Sequence, residues 1–438
     1  MTSKGDASGS RRASAGSIVW AIAASLVLGV AGVGFTAVAS PTKVARPAAM
    51  PVISRNVPAY TNDDCTGAAP AGQANDGSYD TQWHACNTPS SVFPIYLAYD
   101  LSGVASTARG RVIVAWYNDP TTVPYDHTYI SSSLCCGGPG NDIPMAYTLE
   151  ANAAPGGSLP TSGWVELARV SGNVYHSRQH LIDLTGYSWL RMNVTGSDGW
   201  ALNLGVRLNL DVHDAAAGPE DDWVFFGDSI TEAGMAHNSL SSYGGRGTWA
   251  QLINATAAGY FPAFEDGAIG GTHSADGAKN MNTWLAMFPG MFVGLAYGTN
   301  DAALNVSPTV FYDNYVTMVE AVLAAGKIPV IPKIPWGCNG SLQTNGPALN
   351  QQIERLYSTY PVIVHGPDLW SYFQANPSLI SSDCVHPTGQ GFAALRQQWA
   401  NAMLTNVYHL SAGGTTPAPT PQPTPSPALP LPTLPPLL

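Results

Sequence analysis

Four short segments of the chain carry residue types that can do chemistry at a single carbon centre. Gly227-Asp228-Ser229-Ile230-Thr231 follows the apolar run Trp223-Val224-Phe225-Phe226 and precedes a helical pattern. A serine on such a turn, at the carboxyl end of a strand, is exposed yet firmly held. The helix start adds backbone N–H donors and the positive end of a dipole. Asp383-Cys384-Val385-His386-Pro387 sets an aspartate three residues before a histidine. Imidazole is the usual base for a serine hydroxyl, and Asp383 can accept from its Nδ1 and fix the tautomer. Gly298-Thr299-Asn300-Asp301 follows a strand-like run ending at Tyr297, and Gly270-Gly271 follows Ala268-Ile269. The Asn300 amide, the Gly271 N–H and the Ser229 N–H can surround a developing oxyanion, and losing one such donor costs about 2.7–4 kcal/mol of barrier. Each residue also has a plainer reading. Ser229 or Asn300 can cap a helix, His386 can be a satisfied structural histidine, and Gly270-Gly271 can be an ordinary turn.

These residues need elements to hold them. After Asp214 the pattern alternates short apolar strands with helices. Trp223–Phe226, Met291–Tyr297, Lys327–Ile331 and Val362–Val364 read as strands, and 274–288, 308–325 and 347–359 as helices. A last helix is expected from Pro387, proline being favoured at the first helical position, with Phe392, Leu395, Trp399 and Met403 as its apolar stripe. Such alternation implies a parallel sheet covered on both faces. Before Asp214 the pattern is β. Val112–Tyr117 is rich in strand formers. Leu202, Leu204, Val206, Leu208 and Leu210 alternate with polar residues through Asp211, which predicts one buried and one wet face. A β-sandwich follows from these runs and their Gly and Pro separators.

In order and spacing, the four motifs resemble the SGNH, or GDSL-type, hydrolase family over about residues 220–410. The resemblance implies a three-layer α/β/α, flavodoxin-like domain and a serine esterase. It implies Ser229 as nucleophile, His386 as base and Asp383 as its orienter. Ser229, Gly271 and Asn300 become the oxyanion donors, with Asp228 structural and no metal or organic cofactor. The family's second glycine motif often opens on Asn where this chain has Asp266, which leaves Gly270 open beside Gly271. An all-β, jelly-roll-like sandwich ahead of such a domain is similar to the layout of some carbohydrate esterases. The expected substrate is therefore an ester, with acetylated polysaccharide as one candidate. Lipase activity, or a non-catalytic carbohydrate-binding or adhesion role, stands as the alternative. Trp336, Trp189 and Tyr187 can stack on sugars or fill the core.

The organisation expected is 1–40 a signal peptide or N-terminal anchor, 41–90 a linker and Cys-containing segment, 91–215 the sandwich, 219–410 the hydrolase domain and 411–438 a Pro-rich tail. Arg11-Arg12, the apolar run Ile18–Phe35 and Ala37-Val38-Ala39 have the order of an export signal. The run is also near the length of a membrane span, so an uncleaved anchor is the alternative; both place the remainder outside the cytosol. A net charge of −11 without a basic stripe argues against nucleic acid as a partner. Six cysteines suit an oxidising compartment. Cys338 and Cys384 are alone in the C-terminal half and are paired here; Cys65, Cys86, Cys135 and Cys136 admit several pairings. No C-x-x-C spacing points to zinc, and His176 and His180, four apart in a β pattern, do not make a ligand pair. Oligomeric state is not legible in the sequence.

Overall fold

The computed structural model describes residues 44–67, 69–118, 142–198, 205–218, 220–237 and 247–410. The N-terminal apolar run, Cys135, Cys136, Leu202, Leu204 and the Pro-rich tail lie outside them.

Nine strands come first: β1 (Ala59–Thr61), β2 (Trp83–Ala85), β3 (Ile95–Asp100), β4 (Arg111–Tyr117), β5 (Pro144–Asn152), β6 (Val165–Val170), β7 (Ser177–Asp183), β8 (Trp189–Ser197) and β9 (Val206–Asp214). They form two antiparallel sheets, ordered β1-β3-β8-β5-β6 and β2-β9-β4-β7. The core lies between them, built by Trp83, Leu97, Val114, Trp116, Leu149, Met192, Leu208 and their neighbours. β1 and β2 precede residue 91, so the segment expected as linker contributes to both sheets. Three-residue strands carry too little periodicity to be seen in sequence, and only their partners β3 and β9 define them.

The polar face of β9 is not wet, contrary to the expected alternation. Val206, Leu208, Leu210 and Val212 enter the core as expected, but Asn209, Asp211 and His213 are buried as well. Residues 50–81 lie over that face. The Asn209 amide donates to the carbonyls of Gln73, Ser78 and Thr81. Asp211 accepts from Arg55 and from the Tyr79 hydroxyl, and His213 Nδ1 lies 3.3 Å from the Met50 carbonyl. Buried polar groups are tolerable once paired, and the pairs come from more than a hundred residues away.

Five parallel strands follow: β10 (Asp222–Gly227), β11 (Ala263–Asp266), β12 (Phe292–Ala296), β13 (Ile328–Lys333) and β14 (Val364–Asp368). Their order is β11-β10-β12-β13-β14, which is the doubly wound 2-1-3-4-5 arrangement. The helices are α1 (Ser229–Met235), α2 (Trp249–Thr256), α3 (Ser274–Leu285), α4 (Thr299–Ala303), α5 (Pro308–Ala324), α6 (Gly340–Thr359), α7 (Leu369–Ala375) and α8 (Gly389–Asn406). Strand side chains alternate between faces. Trp223 and Phe225 therefore pack with α1, α2, α7 and α8, and Val224 and Phe226 with α3, α5 and α6.

Two helix starts differ from expectation. α8 begins at Gly389, because Thr388 is its cap and accepts from the Gly391 N–H, while Pro387 bridges Ile380. α6 begins at Gly340, where Asn339 accepts from the N–H groups of Ser341 and Leu342. Pro347 sits inside that helix. β11 was not expected from sequence: it is four residues long and carries the half-buried acid Glu265.

Candidate active site

β10 has β11 on one side and β12 on the other, so successive crossovers leave it in opposite directions. Ligand sites of open α/β sheets form at such a switch, beyond the carboxyl ends of the strands. Ser229 stands there as the first residue of α1. The capping role belongs to Asp228, whose Oδ1 accepts the Ile230 N–H at 3.0 Å. The Ser229 hydroxyl is thus spared and lies 2.8 Å from His386 Nε2. Its own N–H, in the first turn, has no acceptor within the helix. Burial pushes the Asp228 carboxyl up to about 6, against its hydrogen bond from Ile230.

His386 Nδ1 lies 2.7 Å from Asp383 Oδ2. Asp383 Oδ1 also accepts from Ser381 Oγ at 2.7 Å, Val385 N–H at 2.9 Å and His386 N–H at 3.0 Å. Partial burial works to raise this carboxyl, yet the bonds from Ser381, Val385 and His386 outweigh it and hold it well below the usual carboxylate range. A proton on Nδ1, donated to Asp383, leaves Nε2 as the acceptor for the serine hydroxyl.

The loop bearing this pair is pinned at several points. The Ser381 N–H donates to the His386 carbonyl at 2.8 Å, and the Thr388 N–H to the Leu379 carbonyl at 2.7 Å. Cys384 takes a left-handed backbone, φ 63°. It forms a disulfide with Cys338, as the sequence reading paired them, and its carbonyl accepts the Asn339 N–H at 3.0 Å. The bridge joins the loop of Asp383 and His386 to the segment that follows β13. The other disulfide among the described residues joins Cys65 to Cys86.

The glycine turn and the start of α4 follow β11 and β12, the two strands that flank β10. Gly271 is exposed and left-handed at φ 77°, while Gly270 is buried. Gly298 caps α4 at φ 139°, a conformation suited to glycine. Asn300, on the first turn of α4, donates through Nδ2 to the Thr272 carbonyl at 2.8 Å. One amide hydrogen thus ties α4 to the glycine turn and the second is left for a ligand.

Sequence reasoning missed the residues that hold these donors. Thr272 Oγ1 lies 3.1 Å from the Gly227 carbonyl and 2.7 Å from that of Ile269, fastening the glycine turn to the end of β10. Asp301 is fully buried and accepts from the N–H and the hydroxyl of Ser274 at the start of α3. Asn314 reaches the same hydroxyl at 2.9 Å. Tyr315 accepts the Tyr297 N–H at 2.9 Å and so steadies the chain just before Gly298. The only sequence signal was the adjacency of Asp301 to Asn300.

Of the aromatic residues that can stack on sugars, Trp189 is fully buried and donates to the Pro155 carbonyl, so it belongs to the core. Trp336 and Tyr187 are half-buried against the two cores. His180 meets the Tyr147 hydroxyl at 2.7 Å within the sandwich.

The serine on a strand-to-helix turn and the Asp-x-x-His loop before the last helix now stand in one line across a doubly wound sheet. Residues 225–394 match the model of the GDSL-like lipase/acylhydrolase family. The match runs from β10 into α8 and includes Ser229, Gly271, Asn300, Asp383 and His386. No curated protein matches the chain. Among solved structures, a lipase/acylhydrolase from Enterococcus faecalis is similar at 19% identity, over 42% of this chain and 94% of that one, with a TM-score of 0.34. A member of the lipolytic G-D-S-L family from Veillonella parvula is similar at 18% identity, over 40% and 94%, with a TM-score of 0.33. A chitosan-binding module of a chitosanase/glucanase from Paenibacillus sp. IK-5 is similar at 15% identity, over 37% and 98%, with a TM-score of 0.26. At such scores the functional reading rests on the GDSL-like domain and its site geometry alone.

Proposed function

We infer that the GDSL-like domain hydrolyses carboxylic esters through an acyl-enzyme on Ser229. The observation that carries this reading is the unbroken series Asp383–His386–Ser229, with contacts of 2.7 and 2.8 Å. Ser229 Oγ attacks the ester carbonyl while His386 Nε2 takes its proton. The oxyanion is received by the N–H groups of Ser229 and Gly271 and the free hydrogen of the Asn300 amide. His386 then gives its proton to the departing alcohol, and water repeats the cycle to release the acid. Asp383, held ionised, keeps Nδ1 protonated and stabilises the imidazolium that forms.

The test is a Ser229→Ala chain assayed with a short-chain nitrophenyl ester and with a fluorophosphonate label. The parent is expected to turn over and to label; the variant should fold, fail to label and lose about 10³-fold or more of its turnover. Equal labelling of both would remove Ser229 from its role. As substrate we propose an ester carried on a polysaccharide, handled outside the cytosol, where two disulfides are compatible with the redox conditions. Acetate release from acetylated xylan, set against fatty-acid release from triglyceride and phospholipid, tests the class. Preference for the lipids would make the domain a lipase instead.

A further inference from the structure

The sheet β1-β3-β8-β5-β6 has one face in the sandwich core and one turned away from it. On the outward face Tyr96 of β3 lies directly opposite Asn193 of β8, and Arg191 lies one pair further along, opposite Ala98. The segment from Asn87 to Pro94 rises beside this face. It is not a loose excursion. The Cys65–Cys86 disulfide closes its base. The Asp63 carboxylate accepts the N–H groups of Cys65, Cys86 and Asn87 and the side-chain amide of Asn87. Its tip is closed by reciprocal bonds of 3.0 Å, Ser90 N–H to the Phe93 carbonyl and Phe93 N–H to Ser90 Oγ. Asn62 clamps the far end, donating to the Pro94 carbonyl and accepting the Tyr96 N–H.

The effect is to hold Val92 and Phe93 at 74% and 75% exposure on the rim of a cleft of about 720 Å³. That volume lies within the range of sites for small organic ligands or a short polymer segment. A single exposed apolar side chain needs no explanation. Two adjacent ones, the most exposed of their kind among the described residues and fixed in place by a disulfide and a set of hydrogen bonds, gain nothing for folding by being there.

The chemistry of the lining selects the ligand. Arg191 and Asp63 are its charged groups; Arg191 is paired with Glu150, and the Asp63 carboxylate stays ionised with its oxygens already taken by amide donors. Arg191 gives Nε and Nη2 to Glu150, and its plane lies 4.1 Å from the Trp164 ring centre and 5.5 Å from that of Tyr96. Asp63 is consumed by its four donors. The groups left to meet a ligand are the rings of Phe93 and Tyr96, the amide oxygens of Asn87 and Asn193, and Nη1 of Arg191. A purely apolar ligand would leave those polar atoms dry at a cost of about 1–3 kcal/mol each. A cation would meet a carboxylate whose oxygens already hold four N–H bonds, and an anion an Arg191 already paired with Glu150. A neutral molecule with an apolar ring face and many hydroxyl groups satisfies both kinds of surface.

We propose that this cleft binds a segment of a neutral polysaccharide, with pyranose faces against Phe93 and Tyr96 and hydroxyls on Asn87, Asn193 and Arg191. It is independent of the ester chemistry, which the GDSL-like domain performs elsewhere in the chain. The whole protein is titrated against microcrystalline cellulose, xylan and an insoluble β-1,3-glucan, by depletion from solution, alongside Phe93→Ala and Asn193→Ala. Turnover of a nitrophenyl ester and melting temperature report that each variant is folded. The expected result is binding to at least one of the three polymers that persists in 0.5 M salt, as order-of-magnitude screening arguments require of an uncharged contact. Each variant should weaken it about tenfold or more, with turnover and melting unchanged. Absence of binding to all three, binding lost in salt, or equal binding by the parent and both variants would overturn the proposal. So would a synthetic peptide of residues 413–438 that binds the parent but not Phe93→Ala, since the cleft would then belong to the chain's own Pro-rich tail.

Discussion

Asp383 is bound by four hydrogen bonds, and only one of them goes to the histidine ring. The other three keep the carboxylate in place when its electronic role is altered. Asp383→Asn should therefore preserve the loop while offering the Nδ1 position a group of the wrong polarity. We expect kcat at neutral pH to fall by about 10²–10⁴-fold with KM and melting temperature nearly unchanged. Steady-state kinetics with one soluble ester decide it, and retention of most of kcat would reduce Asp383 to a loop-fixing residue. Asn300 offers the complementary case. Replacing it with Ala removes one of the proposed oxyanion donors and also the bond to the Thr272 carbonyl. A loss of about 10²–10³ in kcat is expected. A variant that lost only substrate affinity would contradict a role at the transition state.

At the scale of elements, the site depends on ties between loops that leave different strands. Asp301 on α4 holds Ser274 at the head of α3, and through it the glycine turn. Asp301→Ala leaves a buried N–H and hydroxyl without their acceptor, at a cost of about 1–3 kcal/mol. Melting temperature and kcat should both fall, and unchanged kcat would separate the turn's placement from this carboxylate. The Cys338–Cys384 bridge plays the same part on the other side. In the chain-entropy picture its 46-residue loop is worth about 4 kcal/mol. Cys384 lies between Asp383 and His386, so freeing it relaxes the loop that must keep the imidazole within reach of Ser229. Mild reduction, or Cys338→Ser, is expected to lower turnover while near-UV circular dichroism still reports a packed core. Loss of both signals together would leave the bridge a purely stabilising role.

At the scale of the whole molecule, the described residues belong to one compact unit, with the sandwich closed against the β11 edge of the parallel sheet. His237 is stacked between Tyr117 of the sandwich and Phe264 of β11, at 3.8 and 3.9 Å between ring centres. Gln179 of β7 donates to the Trp223 carbonyl, and Ser177 accepts the Asp266 N–H. This seam encloses acids. Burial pushes Glu265 up to about 8 despite the nearby Arg178, and drives Asp222 well above its ordinary value. The folded protein thus holds protons that the unfolded chain sheds near pH 4–5. The contribution of Glu265 is complete below that range and is lost as pH rises through about 8. Melting temperature should fall between pH 5 and 8.5, by about 2–4 °C for each kcal/mol lost. Glu265→Gln should flatten the fall. A profile as steep as the parent's would mean that other groups govern it.

Much of the catalytic half was legible in the sequence, and the reason is local. Trp223–Phe226 is an unbroken apolar run because both faces of β10 are covered, and the turn chemistry of the motifs after β10 and β12 is written within four or five residues. The match of residues 225–394 to the family model includes these same short words. What sequence alone could not decide was whatever depends on partners distant along the chain. The alternation in β9 looked amphipathic, yet Asn209, Asp211 and His213 are buried because residues 50–81 return to cover them. β1, β2 and β11 are strands only because longer neighbours supply their hydrogen bonds. Ser229 is a free hydroxyl rather than a cap because Asp228, beside it, takes the cap, and that choice is made by backbone geometry. Sequence determined which groups could react. The tertiary structure decided which of them meet, because hydrogen-bond reach of about 3 Å is set by the packing of whole elements and not by spacing along the chain.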